Sequence, residues 1–131
     1  MTRPAPRPLA AVALGGAAGA VLRHLLGELA PDGTGFPWTT FAINVAGCAL
    51  LAGLELLPPA RRSATWAAGL GPGVLGGFTT FSATSEQARS LLAAGDATVA
   101  GAYVLGTLGA CLLAVVVVGR YAPPLPAEDE L

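Results

Sequence analysis

Four long apolar stretches divide the chain, and short segments rich in proline, glycine and charged residues separate them. The stretches cover approximately residues 9–29, 38–57, 64–92 and 98–121. A helix needs about 20 apolar residues to cross the hydrocarbon core of a bilayer. Each stretch therefore predicts one transmembrane helix, within a single membrane domain flanked by short polar tails at 1–8 and 122–131.

The composition supports an integral membrane protein over a soluble one. Of 131 residues, 53% are hydrophobic and 11% are charged, and none is lysine. Soluble domains carry about 25% charged residues, so the apolar excess must face lipid, and we expect a multi-pass protein of the cell membrane. The net charge of −1 provides no basic surface for nucleic acid. The 18 glycines and 11 prolines lie among leucine, valine and alanine, which argues against disorder.

A signal peptide is the competing interpretation of the first stretch. A short basic segment precedes it, and Ala18 and Ala20 resemble the small residues of a cleavage site. The apolar run continues beyond that point, and the later stretches already require a membrane protein. We therefore interpret residues 9–29 as a transmembrane helix.

The third stretch is unusual because its centre reads GLGPGVLGGFTTFSATSEQ. This composition predicts a helix that is broken at the glycine-rich segment. Backbone groups freed at membrane depth must be buried in protein or line an aqueous path, so the break is a candidate functional element. Close helix packing is the alternative, because Gly69, Gly73 and Gly77 form two overlapping GxxxG steps. Packing does not explain the run of hydroxyl side chains that follows.

Polar side chains inside the other spans are further candidates. Asn44 lies near the middle of the second span and needs a hydrogen-bond partner there. Tyr103, Thr107 and Cys111 recur every four residues and share one face of the fourth helix. This face is a candidate polar track. The alternatives are an ordinary interhelical hydrogen bond for Asn44 and a bond from the Thr107 hydroxyl to its own helix.

Arg23, at the end of the first span, is predicted to have a structural role. It has three candidate arrangements: pairing with Glu86, pairing with Glu55, or extending towards the lipid headgroups.

The arginines also predict an orientation. Four spans place both termini and the loop between spans two and three on one face of the membrane. That face carries five arginines and the other carries two: Arg3, Arg7, Arg61, Arg62 and Arg120 against Arg89 and Arg23. The positive-inside rule then predicts that both termini are cytoplasmic.

No arrangement of residues predicts catalysis. The chain has one histidine, no nucleophile elbow, no phosphate-binding loop and no pair of carboxylates within one span. Cys48 and Cys111 lie in apolar runs without neighbours at metal-ligand spacing, and we interpret both as small buried side chains. We therefore expect an oligomeric pore or carrier, not an enzyme.

Three segments resemble the CrcB/Fluc family of fluoride channels: GGAAGAVLR at 15–23, TFAINVAG at 40–47 and GGFTTFS at 76–82. The similarity extends through all four spans, from roughly Leu14 to Arg120. It implies an all-α membrane protein whose small four-helix subunits pair as an antiparallel dimer. The dimer would contain two pores and one structural sodium ion at its centre. Fluoride would leave the cytoplasm passively, without nucleotide or proton coupling.

The resemblance also implies roles for particular residues. The Phe81 ring would present its positive edge to the anion, and amide and hydroxyl donors would replace the water of fluoride. Backbone carbonyls of Gly76 and Thr79 would hold the sodium ion, and Arg23 matches an arginine of the family. The implied fluoride pathway comprises Asn44, Phe81, Thr84, Tyr103, Thr107 and Cys111.

Two positions depart from the family pattern. Thr84 replaces a second phenylalanine, and Cys111 replaces a residue that is often serine. A subunit without that ring would form one good pore or depend on a related partner, so homodimer and heterodimer both stay open. A non-conducting partner subunit is a further alternative. A proton-coupled drug exporter fits less well, because Glu28 lies at the end of the first span and not in its middle.

Overall fold

The computed structural model describes residues 6–58 and 63–121, and these two ranges are helical and contain no β-strand. The predicted C-terminal tail and most of the predicted N-terminal tail lie outside the described residues. So do Arg3, Arg61 and Arg62, three of the arginines behind the predicted orientation.

Six α-helices form the described chain: α1 Pro6–Leu29, α2 Trp38–Gly53, α3 Ala64–Ala68, α4 Gly76–Phe78, α5 Phe81–Ala93 and α6 Ala97–Gly119. A 3₁₀ turn, Leu54–Leu56, extends α2, and a π-helical segment, Gly69–Leu75, joins α3 to α4. Three of the described helices are long and apolar enough to cross a membrane: α1, α6, and α2 with its 3₁₀ turn.

The third predicted span consists of two helical halves. The backbone is helical from Ala64 to Phe78, becomes extended at Thr79 (ψ 158°) and Thr80 (φ −148°), and is helical again from Phe81. The glycine-rich residues are therefore helical themselves, in contrast to the sequence prediction, and the interruption falls on the threonines that follow. The Thr80 hydroxyl accepts a hydrogen bond from the Ala83 N–H at 3.1 Å, which caps α5 and stabilises its start.

Helix α1 packs directly on the glycine-rich segment. A methyl group on Gly19 would overlap the backbone oxygen of Val74, and one on Gly77 would overlap the backbone of Gly16. Such backbone-to-backbone contact is possible only without side chains. The packing alternative for these glycines is thus present in the structure, and the contact with α1 explains why they stay helical despite their low helix propensity.

Helices α2 and α6 lie side by side and run in the same direction. Near their first residues, the Phe36 and Tyr103 rings meet edge to face with centroids 5.3 Å apart. Near their last residues, Gly53 lies against the Val118 side chain. Tyr103 is fully buried and packs with Leu91 of α5. The pairing of α2 with α6 brings together polar residues that are far apart in sequence.

Arg23 does not pair with either of the predicted glutamates. Its Nε donates a hydrogen bond to the Gly77 carbonyl oxygen at 3.3 Å. Glu86 instead forms a salt bridge with Arg89 at 2.6 Å, the one salt bridge in the described ranges, and Glu55 is exposed. The Gly77 carbonyl needs an outside donor because the helix ends one residue later. Arg23 therefore ties α1 to the end of α4.

Candidate functional site

Asn44 holds the interruption of the third span in place. Its Oδ1 accepts a hydrogen bond from the Thr80 N–H at 2.8 Å, and its Nδ2 donates to the Thr80 carbonyl oxygen at 3.1 Å. The same Nδ2 donates to the Thr84 hydroxyl at 3.0 Å. These contacts satisfy backbone groups that have left the helix and would be costly to leave unpaired in a membrane.

Thr84 lies one turn into α5 with its side chain turned towards Asn44. It is buried, and its hydroxyl donates to the Thr80 carbonyl oxygen at 3.0 Å. The resemblance of the GGFTTFS segment to the channel family implies a phenylalanine at this position. Here a small hydroxyl side chain completes the cluster of Asn44, Thr80 and Thr84, and no aromatic ring is presented.

A cavity of about 590 Å³ lies between α2, α6 and the interrupted third span. Leucine and other apolar side chains form most of its wall. Of the predicted site residues, the structure brings seven to this wall: Asn44, Gly76, Thr79, Phe81, Thr84, Thr107 and Cys111.

Phe81 lies at one edge of the cavity and is 86% exposed. It is the first residue of α5, directly after the interruption. The neighbouring aromatic residue of the same segment, Phe78, is only 7% exposed. The single chain therefore buries one ring and presents the other outward at the position where the helix restarts.

The Thr107 hydroxyl donates to the Tyr103 carbonyl oxygen at 2.6 Å, one turn back along α6. This is the own-helix bond that the sequence left as an alternative for Thr107. The residue is buried and still borders the cavity. Rotation about one C–O bond would redirect its proton, since a hydroxyl hydrogen turns to suit its surroundings.

Tyr103 is placed differently from the other predicted pathway residues. Its hydroxyl donates to Gln87 Oε1 at 2.6 Å, and the residue is not part of the cavity wall. Gln87 Nε2 donates in turn to Asp32 Oδ2 and to the Thr40 hydroxyl, both at 2.9 Å. Because a carboxylate only accepts hydrogen bonds, Asp32 fixes the direction of the Gln87 amide and hence the direction of the Tyr103 proton.

Asp32 also serves the start of α2. Its carboxylate accepts from the Thr39 N–H at 2.7 Å and from the Thr40 N–H at 3.1 Å. First-turn amides of a helix lack partners within the helix, and an anion there is favoured by the helix dipole. Asp32 thus joins the loop after α1 to α2 and, through Gln87, to α5 and α6.

The hydrogen-bonded residues Asp32, Gln87 and Thr40 border a second cavity of about 340 Å³. Its wall includes Arg23, His24, Glu28, Asp32 and Gln87. No motif in the sequence points to Asp32 or Gln87. Asp32 lies seven residues before Thr39, and a carboxylate ahead of a helix start was an available signal for a helix cap. The role of Gln87 depends on the packing of α5 against α6.

The carbonyl oxygens of Gly76 and Thr79 have lost their helical partners. The Thr80 N–H, which would bond Gly76 in a continuous helix, donates to Asn44 instead. The Ala83 N–H, which would bond Thr79, donates to the Thr80 hydroxyl. Among the described residues neither oxygen accepts a hydrogen bond. Two free carbonyl oxygens beside the cavity match the hard oxygen ligands that a cation such as Na⁺ prefers.

The fold and the site define a class: a small all-helical membrane protein whose polar side chains meet at a cavity beside an interrupted helix. Residues 10–120 match the family model described as "CrcB-like protein, Camphor Resistance (CrcB)". The chain belongs to the CrcB family.

Several proteins named as fluoride channels are similar to the chain over most of its length. A Rhizobium etli (strain CIAT 652) protein named "Fluoride-specific ion channel FluC" is 43% identical over 109 residues, which cover 80% of this chain and 87% of that protein. A protein of the same name from Oceanobacillus iheyensis is 42% identical over 99 residues, covering 74% of this chain and 77% of its own length. "Fluoride-specific ion channel FluC 1" of Streptomyces coelicolor is 42% identical over 113 residues, which cover 82% of this chain and 71% of that protein.

Proposed function

We propose that this protein is a subunit of a fluoride-selective channel of the cell membrane that lowers cytoplasmic fluoride by passive export. The observation that carries the proposal is the cavity beside the interrupted helix, in a chain whose relatives bear the name of fluoride channels. The gradient drives the ion, so the subunit needs no catalytic group and is not an enzyme.

The polar groups at the cavity suit a small anion that must lose its water. Fluoride would accept hydrogen bonds from hydroxyls that now bond their own helix, such as those of Thr84 and Thr107. Hydroxyl rotation makes these protons available at low cost. The exposed Phe81 ring offers its positive edge. Asn44 contributes by fixing the position of Thr80 and Thr84.

A second subunit would complete the site. The cavity has an open side, and Phe81 is 86% exposed there. Within the described part of the chain, the Gly76 and Thr79 carbonyl oxygens beside it accept no hydrogen bond. We infer an antiparallel dimer, in which Phe81 of each chain faces the cavity of the other. We also infer a structural sodium ion held by the carbonyls of Gly76 and Thr79. A bound cation supplies fixed positive charge that attracts anions to the pathway.

One observation favours a second candidate, a heterodimer with a related subunit. Thr84 is buried with its hydroxyl between Asn44 and Thr80, where the family pattern usually has a ring. A partner that carries both phenylalanines would supply the missing one. In that arrangement this chain would be a half-site or non-conducting partner.

Reconstitution in liposomes tests the proposal. The purified chain is incorporated alone, and efflux of fluoride and of chloride is recorded with ion-selective electrodes. Fluoride efflux without chloride efflux, and without a proton gradient, is the expected result. Fluoride that stays trapped until a related subunit is added would assign the heterodimer. If both preparations retain fluoride, the channel assignment is wrong, and efflux that requires a proton gradient would indicate an exporter.

A further inference from the structure

Cys48 of α2 and Cys111 of α6 lie on two neighbouring helices that border the same cavity. Both are partly buried free thiols, and both line the 590 Å³ cavity. Cys48 lies four residues after Asn44, and Cys111 lies four residues after Thr107. Because α2 and α6 run in the same direction, one helical turn carries both thiols about 6 Å in the same direction along the cavity. Gly53 of α2 lies against Val118 of α6. Cys48 lies five residues before Gly53 and Cys111 lies seven residues before Val118, so both thiols lie within about two helical turns of the same interhelical contact.

Thiolates are soft ligands and select soft cations. Among residues 6–58 and 63–121, no group of three or more His, Cys, Asp or Glu side chains could hold a metal ion. Structural zinc needs four such ligands, so this pair does not satisfy it. Two thiolates alone suit a soft cation that accepts only two ligands.

Charge balance selects among such cations. The wall around the thiols includes Leu51, Val104 and Leu108, and an apolar wall disfavours a net buried charge. Two thiolates carry a charge of −2, which a divalent cation cancels. A monovalent cation would leave one negative charge, and a single thiolate with a divalent cation would leave one positive charge.

We propose that Cys48 and Cys111 form a two-thiolate site for a thiophilic divalent cation, represented by Hg²⁺, and that its occupation obstructs the cavity. Two S–H bonds lose their protons, two S–Hg bonds form, and two protons are released to solvent. No atom is oxidised or reduced. Binding is independent of the proposed function, whereas the obstruction of ion flow rests on it.

Binding is tested without any transport measurement. The full-length chain in detergent, free of reductant and chloride, is titrated with mercuric nitrate, and free thiols and bound mercury are counted. We expect one Hg²⁺ per chain to remove both thiols and to resist competition by glutathione. Cys48→Ser and Cys111→Ser should each release the ion to glutathione, and the double variant should bind none.

Three binding results would each overturn the site. They are two Hg²⁺ per chain, retention by a single-cysteine variant as strong as in the unaltered chain, and mercury that bridges two chains in native mass spectrometry. A folded chain that binds no Hg²⁺ would also overturn it.

Obstruction is tested in liposomes, with each preparation compared with its own fluoride efflux before Hg²⁺ is added. One equivalent of Hg²⁺ per chain should abolish fluoride efflux through the unaltered chain. Fluoride efflux through the double variant should stay at the rate measured for that variant before Hg²⁺ was added. Bound Hg²⁺ with unchanged efflux would refute obstruction while the site stands. If no preparation passes fluoride in the absence of Hg²⁺, the proposed function fails and the binding result is unaffected.

Discussion

Asn44 bonds both backbone polar groups of Thr80, accepting from its N–H at 2.8 Å and donating to its carbonyl at 3.1 Å. A side-chain amide has the same donor and acceptor as a peptide group, so Asn44 replaces the helical partner that the Thr80 N–H has lost and adds a donor to the Thr80 carbonyl oxygen. The interruption of the third span is therefore specified by a residue 36 positions away, on α2. Its stability depends on the contact between these two elements.

Removing this amide is expected to destabilise the protein. Asn44→Ala leaves the Thr80 N–H without a partner and leaves the Thr80 carbonyl oxygen without its amide donor, although the Thr84 hydroxyl still donates to that oxygen. An unsatisfied buried group costs about 1–3 kcal/mol. Thermal unfolding in detergent measures the loss, and Ser85→Ala is the matched control, because the Ser85 hydroxyl is exposed and bonds only its own helix. Equal stability of the two variants would contradict the role given to Asn44.

Asn44→Asp tests the effect of a negative charge, because the aspartate side chain has nearly the same shape as the asparagine side chain. The carboxylate keeps the acceptor for the Thr80 N–H, but it faces the Thr80 carbonyl oxygen with a second acceptor. We expect lower stability than in the unaltered chain and suppressed fluoride efflux, because a fixed negative charge repels the anion. Efflux assays on the folded fraction, isolated by size exclusion, check this, and unchanged efflux would remove Asn44 from the pathway.

Phe78 and Phe81 form a matched pair, one buried and one exposed. Phe78→Ala removes a ring that is 7% exposed, and the resulting core cavity is expected to cost about 3–5 kcal/mol. Phe81→Ala removes a ring that is 86% exposed, so we expect the fold of the chain to persist while fluoride efflux and subunit association decrease. Circular dichroism, efflux and crosslinking of the purified variants measure the three effects. Normal efflux through folded Phe81→Ala would exclude the ring from the pathway.

The crossing of α1 with the glycine-rich segment offers another matched pair within α1. A methyl group on Gly19 meets the Val74 backbone oxygen, whereas a methyl group on Gly27 meets nothing within 4 Å. Gly19→Ala is expected to cost about 1–3 kcal/mol or more, as overpacking does. Gly27→Ala should be neutral or slightly stabilising, because alanine favours helix. Unfolding midpoints in detergent compare the two, and equal midpoints would contradict the close approach.

The hydrogen bond between Tyr103 and Gln87 can be measured with a double-mutant cycle. Gln87→Leu leaves a buried hydroxyl unpaired and is expected to destabilise the chain by about 1–3 kcal/mol. Adding Tyr103→Phe removes that hydroxyl, so the double variant should recover part of the loss. The coupling should be about 0.5–3 kcal/mol, as for residues in contact. Additive losses would show that the two side chains act independently.

Most of the helical architecture follows from local composition. The apolar runs of α1, α2 and α6 are long enough to predict their helices without knowledge of their partners. Thr79 and Thr80 could not be predicted as the interruption, because their extended backbone depends on Asn44 from another helix. The glycines before them have a low helix propensity, yet close contact with α1 keeps them helical.

A site residue could be predicted from the sequence where its residue type alone is unusual for its position. The apolar span around Asn44 marks it as an amide that needs a partner. Seven of the nine site residues named from the sequence line the cavity, and Tyr103 and Arg23 do not. The roles of these residues in a fluoride pathway stay predictions. Asp32 was missed although a carboxylate ahead of a helix start was an available signal, and Gln87 was missed because its role depends on the packing of α5 against α6. Their importance comes from a network that links the loop before α2 to α5 and α6.

The contact between α1 and the glycine-rich segment limits which second mutations can compensate for Gly19→Ala. A methyl group on Gly19 collides with a main-chain oxygen of Val74, an atom that every residue type carries. No side-chain replacement at Val74 can therefore make room for it. A selection for second-site suppressors of Gly19→Ala should return reversions to glycine and changes that move the helix backbone, but no compensating substitution at Val74.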